Sequence, residues 1–339
     1  WQMFVVGPEL EKEAAMQQDI AEQAAAAASG DTPQVDSDAV AGSVGAADTG
    51  ELSVSEAAPA VEVPRIVIDA PLVSGSISLS GLRVDDIMLK AYQETQDPDS
   101  ENIQFLLKTS TAAPFFAEFG WASADAAQPM PKSDSVWTAS SMVLSPGSPV
   151  TLAWENGNGL TFRRQLSIND DYMITIDDSV ESALSVPLTL FPYGLVRRHG
   201  TPATTGIYIL HEGALGVFDE TLREEDYDDM RDADGGVSEI RPEIAGGWIG
   251  FTDKYWLAAL LPDQSVKMNF AFKSLAGPSD RYQVDYIASE ASMLPPGGVL
   301  SSQTRLFAGA KKVTLLDGYA DELGIANFDL AIDFGWFYF

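Results

Sequence analysis

Apolar and polar positions alternate in short runs along most of this chain, and turn-forming residues separate the runs. Ser76-Ile77-Ser78-Leu79-Ser80 alternates strictly and ends at Gly81. A period of two places one set of side chains on each face of a β-strand. Before it, Arg65–Asp69 is a β-rich run that follows Pro64, and Val84–Tyr92 continues the pattern. Further strands are predicted at Phe105–Thr109, Phe115–Gly120, Val150–Trp154, Leu160–Ile168, Tyr172–Ile176 and Ser185–Pro192. The series goes on at Gly206–His211, Gly213–Val217, Trp248–Phe251, Tyr255–Leu261, Val266–Phe272 and Asp280–Ile287. Asp97-Pro98, Ser145-Pro146-Gly147, Asn169-Asp170-Asp171 and Gly277-Pro278 supply turns. Asn156-Gly157-Asn158-Gly159 between two apolar runs marks a hairpin. So many short strands without intervening helices predict an all-β fold, a large two-sheet sandwich.

The two ends of the chain break this pattern. Near the C-terminus, Ala308–Tyr319 carries Val313, Leu316 and Tyr319 at helical spacing, and Leu323-Gly324 can close a helix there. Ile325–Phe339 then holds six aromatic residues. Phe328, Ile332, Trp336 and Phe339 would share one face of a helix, and Phe337 and Tyr338 add to the aromatic stop. Trp and Tyr rings suit the boundary between hydrocarbon and water, so this stretch is a predicted membrane-interface segment. At the other end, residues 1–62 hold twelve acidic residues and one basic one, Lys12, with no aromatic after Phe4. Such a stretch buries too little apolar surface to offset chain entropy and is predicted to be a disordered linker, with a transient helix over Glu9–Ala28. Trp1 and Phe4 at the start and the aromatic stop at the end are expected to be stubs of membrane segments. The predicted division is therefore a linker at 1–62, a sandwich at 63–305 and a helical extension at 306–339.

Charge narrows the set of partners. Among 339 residues, Asp and Glu number 50 against 20 Lys and Arg, for a formal charge of −30. Such a surface repels nucleic acid, and it repels anionic lipid, so membrane contact must come from apolar and aromatic groups. No cysteine is present, which excludes disulfides, zinc–thiolate sites and cysteine nucleophiles. No run of about 18 apolar residues suggests a transmembrane helix.

Candidate chemistry is sparse. Asp219–Asp234 gathers nine carboxylates with Arg223 and Arg231. The EF-hand ligand order is missing, so a solvated loop is expected there rather than a calcium site. His199 and His211 are the only histidines. His211-Glu212 invites a sugar acid/base reading, but neighbours on a strand point to opposite faces. Phosphate loops, Gly-x-Ser-x-Gly elbows and His-Glu-x-x-His pairs do not occur. No cofactor or metal is expected. The densest motif is Gly246–Trp256, in which Asp253-Lys254 makes a polar turn between aromatic strands.

Several segments, in order, resemble the large first periplasmic domain of the YidC family of bacterial membrane protein insertases. They are Gly75–Leu79 with Gly81–Asp86, Trp154–Gly157 with Gly159-Leu160, and Leu210–Gly213; then Gly247–Gly250 with Asp253–Trp256, Leu306–Lys312, and Ile332–Trp336. Asp253-Lys254-Tyr255-Trp256 and Phe307–Lys311 are the most specific. The resemblance implies a β-supersandwich similar to galactose mutarotase, on the periplasmic side of the inner membrane between two transmembrane helices. It implies a helical linker from about Leu306 and an interfacial helix near Phe328–Phe339. It also implies a non-enzymatic accessory role beside SecYEG, SecDF and nascent membrane proteins. Trp248, Asp253, Lys254, Tyr255, Trp256, Lys311 and Lys312 are the candidate interaction residues. Two other readings stand beside it. One is a sugar-binding or mutarotase-like sandwich using Trp154, Trp248 and Trp256. The other is a chaperone that binds peptides along a groove or sheet edge.

Overall fold

The computed structural model describes residues 63–97, 99–125, 127–203, 210–277 and 279–333. The expected linker at 1–62 with its helix over Glu9–Ala28, most of the run at Gly206–His211, and Trp336, Phe337, Tyr338 and Phe339 lie outside the described residues.

Strands carry the fold. The first seven are β1 (Arg65–Asp69), β2 (Val73–Ser78), β3 (Val84–Gln93), β4 (Asn102–Leu106), β5 (Phe115–Ser123), β6 (Thr138–Ala139) and β7 (Val143–Leu144). Next come β8 (Val150–Glu155), β9 (Leu160–Ile168), β10 (Met173–Ser182), β11 (Leu188–His199), β12 (Gly213–Phe218) and β13 (Thr221–Asp226). A short helix α1 (Tyr227–Asp232) separates these from β14 (Val237–Ala245), β15 (Trp248–Thr252), β16 (Trp256–Pro262) and β17 (Lys267–Ser274). The last are β18 (Arg281–Ala288), β19 (Ser292–Leu294) and β20 (Val299–Ala310), followed by helix α2 (Val313–Leu323) and a 3₁₀ turn at Phe328–Ala331.

Two sheets result, as expected. One has eleven strands in the order β14-β17-β18-β11-β5-β3-β2-β1-β7, with β19 on β11 and β4 on β3. The other has nine, in the order β13-β12-β15-β16-β20-β10-β9-β8-β6. Alternation aims every second residue at the core between them: Leu160, Phe162, Leu166 and Ile168 of β9 are buried, and so are Ile174, Ile176 and Val180 of β10. Burial of about 25 cal/mol per Å² of apolar surface makes this layer the main source of stability. The Asn-Gly hairpin joins β8 to β9, and the Asp253-Lys254 turn joins β15 to β16.

Two expectations need correction, and two strands were not predicted. The sandwich runs on through Ala310, so the helical segment begins at Val313 rather than Leu306 or Ala308. Phe307-Ala308-Gly309 looks helical by composition, but the small residues serve packing. A Cβ on Gly309 would overlap the buried ring of Tyr172. The acidic stretch at 219–234 is not a loop. Residues 221–226 pair with β12, and α1 buries Tyr227 and Met230 while its carboxylates face water. Finally, β14 and β20 lack the clean alternation that would predict them. β14 is a polar edge strand with two register shifts and a proline.

Candidate functional site

The end of the β15–β16 hairpin is where distant parts of the chain meet. Asp253 closes the turn by donating its N–H to the Trp256 carbonyl at 2.9 Å. From β11, Arg198 donates to Asp253 Oδ1 at 2.7 Å and to the Tyr227 hydroxyl at 3.2 Å. Its guanidinium lies 4.6 Å from the centre of the Phe115 ring. From the segment before β12, Glu212 accepts the Lys254 N–H at 3.1 Å. From the end of β20, Lys311 donates its N–H to the Tyr255 carbonyl at 2.9 Å and its Nζ to Thr252 Oγ1 at 2.7 Å. Burial pushes the Lys311 amine down to about 8, against the opposing pull of Asp253, Asp333, Glu212 and Glu224. The amine therefore remains mostly protonated at pH 7. It is a half-buried cation that faces carboxylates from four stretches of the chain.

The same junction ties down the C-terminal segment. Helix α2 buries Leu316 and Tyr319, and ends at Gly324 in the left-handed conformation, where Gly costs nothing. Tyr319 accepts a hydrogen bond from Asn169 at 2.6 Å. Asn327, also left-handed, donates to the Glu220 carbonyl at 3.0 Å. Asp333 accepts the His211 N–H at 3.1 Å. Between these polar ties, Phe328 is fully buried, edge-on to Trp248 at 5.3 Å and to Phe307 at 5.7 Å.

The predicted interaction residues divide accordingly. Asp253, Lys254, Tyr255, Trp256 and Lys311 come together at the junction. Tyr255 is 57% exposed, with the Lys254 amine 4.9 Å from its ring centre. Trp256 is half-buried edge-on to Tyr92 at 4.8 Å. Lys312 is exposed at the start of α2, 5.6 Å from the centre of the Tyr172 ring. Trp248 does not belong to a surface; it is fully buried beneath Phe328. Phe328 likewise faces the core rather than a membrane, and Ile332 packs half-buried against the same core.

The sugar reading loses its residues in turn. The His211 Nε2 lies 2.9 Å from the Ala214 carbonyl, and Glu212 is committed to the hairpin turn. Trp154 packs against Phe162 and Trp137, Trp256 against Tyr92, and Trp248 inside the core, so the three share no cleft. Among the described residues, no group of three His, Asp or Glu is placed to hold a metal ion. Sequence reasoning missed Arg198, Glu212 and Asp333 as members of the junction. Glu212 and Asp333 lie in two of the segments that carry the family resemblance, but nothing in their spacing links them to the hairpin, and Arg198 reads only as a charge near the end of a strand.

The junction joins the two most specific sequence segments, and one family profile spans both. The profile described as the YidC periplasmic domain matches residues 65–339. The chain belongs to the YidC periplasmic domain family. Relatives named membrane protein insertase YidC match it in full: that of Beijerinckia indica is 42% identical over 344 residues, and that of Methylobacterium radiotolerans 41% over 358. The chain covers 56% and 57% of those two proteins, so it spans about half their length. The relative from Methylobacterium nodulans is 46% identical over 81% of this chain. Among solved structures, a galactose mutarotase-like protein from Lactobacillus casei is similar over 72% of this chain, with a TM-score of 0.47 and 12% identity. In this YidC periplasmic domain, then, Asp253–Trp256 and Phe307–Lys311 are neighbours in space. Each helps to fix the other.

Proposed function

We propose that this chain is the periplasmic body of a membrane protein insertase, and that it works as a non-catalytic scaffold. The supporting observation is the junction at Asp253 and Lys311, which locks the segment at 313–333 onto the sandwich. A rigid coupling of this kind lets a large periplasmic body set the position of whatever follows residue 333. Insertion of nascent chains would then take place in membrane segments of a multi-pass inner-membrane protein. The exposed Tyr255 with Lys254 offers a docking point for translocon components such as SecYEG or SecDF, and 334–339 offers an aromatic contact with the membrane surface. Cation and aromatic ring side by side suit a partially desolvated protein contact.

The test is an insertion assay with the full-length protein. Removing 313–333 should cut insertion of a dependent substrate sharply, whereas removing 1–60 should leave it near normal. Equal tolerance of both deletions would defeat the proposal.

A further inference from the structure

The turn between β8 and β9 reads Asn156-Gly157-Asn158-Gly159, two Asn-Gly pairs in tandem. An asparagine before glycine is chemically labile, because the next backbone nitrogen has no side chain beside it to hinder attack on the asparagine amide. The fold requires both glycines. Gly157 stands at φ 73° and Gly159 at φ 92°, a region that residues with a Cβ rarely adopt. The lability of the two pairs therefore depends on how each asparagine is held.

Asn156 is tied down at both ends of its amide. Its Oδ1 accepts the Asn158 N–H at 2.7 Å and the Leu160 N–H at 3.0 Å. Its Nδ2 donates to the Pro129 carbonyl at 3.2 Å and to Gln128 Oε1 at 3.4 Å. Its own N–H donates to the Leu160 carbonyl at 3.1 Å. Swinging this side chain onto the Gly157 nitrogen breaks the bonds that close the hairpin. Asn158 is exposed, and among the described residues its side-chain amide has no hydrogen-bond partner. The Gly159 N–H likewise has none, while the Gly159 carbonyl accepts the Ala183 N–H at 2.8 Å.

We infer that Asn158, and not Asn156, is a site of spontaneous deamidation. The Gly159 nitrogen gives up its proton to base and bonds to Asn158 Cγ. The Cγ–Nδ2 bond breaks, and Nδ2 leaves as ammonia. Water then opens the resulting five-membered imide at either carbonyl, leaving aspartate or isoaspartate at 158. No reactant besides water is consumed. The product places a carboxylate on a four-residue turn that has no charge. In the isoaspartyl form it also routes the chain through one extra methylene, next to the Gly159–Ala183 hydrogen bond that ties this turn to the segment after β10. The site stands independently of the insertase proposal, since it takes no part in the junction.

The test incubates the full 339-residue chain in mildly alkaline buffer at body temperature, folded and in urea, and follows it by peptide mapping. Trypsin releases residues 133–163, in which Asn156 and Asn158 are the only asparagines. Fragment masses place the modification, and electron-transfer fragmentation separates isoaspartate from aspartate. In the folded chain Asn158 should react at least about tenfold faster than Asn156, faster as pH rises, and mostly to isoaspartate. In urea the hydrogen bonds of Asn156 are gone, and the two should react at comparable rates. Asn158→Gln changes an exposed side chain without a partner, and it should leave the folded peptide unmodified. Equal rates in the folded chain, a faster Asn156, or no reaction in the folded chain while the urea sample reacts would overturn the site. A preference for Asn158 that persists in urea would overturn its structural cause.

Discussion

Replacing Phe328 with alanine separates the two roles this residue could have. In the structure the ring is fully buried, edge-on to Trp248 and Phe307. A buried aromatic side chain removes about 150–250 Å² from water, worth roughly 4–6 kcal/mol at 25 cal/mol per Å². Alanine keeps part of that, and the two edge-on ring contacts add about 0.5–1.5 kcal/mol each. The expected loss is therefore about 3–5 kcal/mol, in line with other buried Phe→Ala changes. Urea unfolding of the 339-residue chain, followed by tryptophan fluorescence, measures it, with Trp248 as a local reporter. An interfacial side chain would behave otherwise: its removal would leave stability within about 0.5 kcal/mol and weaken adsorption to vesicles instead. That outcome would refute the docking of this segment onto the sandwich.

Two further predictions follow from the charged groups. Asp253→Ala should cost about 1–3 kcal/mol in urea unfolding, because Arg198, 17% exposed, loses its carboxylate while remaining packed on Phe115; a loss under about 0.5 kcal/mol would make the pair incidental. His199 has a folded pKa of about 4 against roughly 6.5 when unfolded, so the unfolded chain binds the extra proton first and stability drops as pH falls through that window. Discounted for half-exposure, the drop between about pH 6.5 and 5 is about 1 kcal/mol relative to His199→Gln, and parallel pH profiles for the two proteins would contradict it.

What the sequence reveals depends on how local the cause is. The β8–β9 hairpin follows from Asn156-Gly157 and flanking alternation, and the β15–β16 turn from Asp253-Lys254 between apolar runs. Both are set by neighbours in the chain. Leu306–Ala310 is set by partners far away. β10 and β16 flank it on both sides, and the ring of Tyr172 fills the space over Gly309, so its small residues mimic a helix. Spacing alone made Phe328 and Ile332 one face of a helix. The left-handed Asn327 turns the chain first, and the ring drops into the core. Residues 219–234 read as solvated because nine carboxylates hide two anchors, Tyr227 and Met230. Polar residues buried on the eleven-stranded sheet are the hardest case. Tyr282-Gln283-Val284-Asp285-Tyr286 has the pattern of a strand with one wet side, yet Gln283 and Asp285 are as buried as Val284 between them.

Hydrogen exchange on the full-length, membrane-embedded protein tests the central claim, that the segment after β20 is one body with the sandwich. The amides of Leu316, Ile325 and Ile332 donate to Lys312, Ala320 and Asp329 carbonyls within the docked segment. If the account is right, they exchange as slowly as those of β16 and β20, and they stay protected when lipid is replaced by detergent. Exchange at the rate of an unstructured chain, or protection that disappears with the lipid, would contradict it.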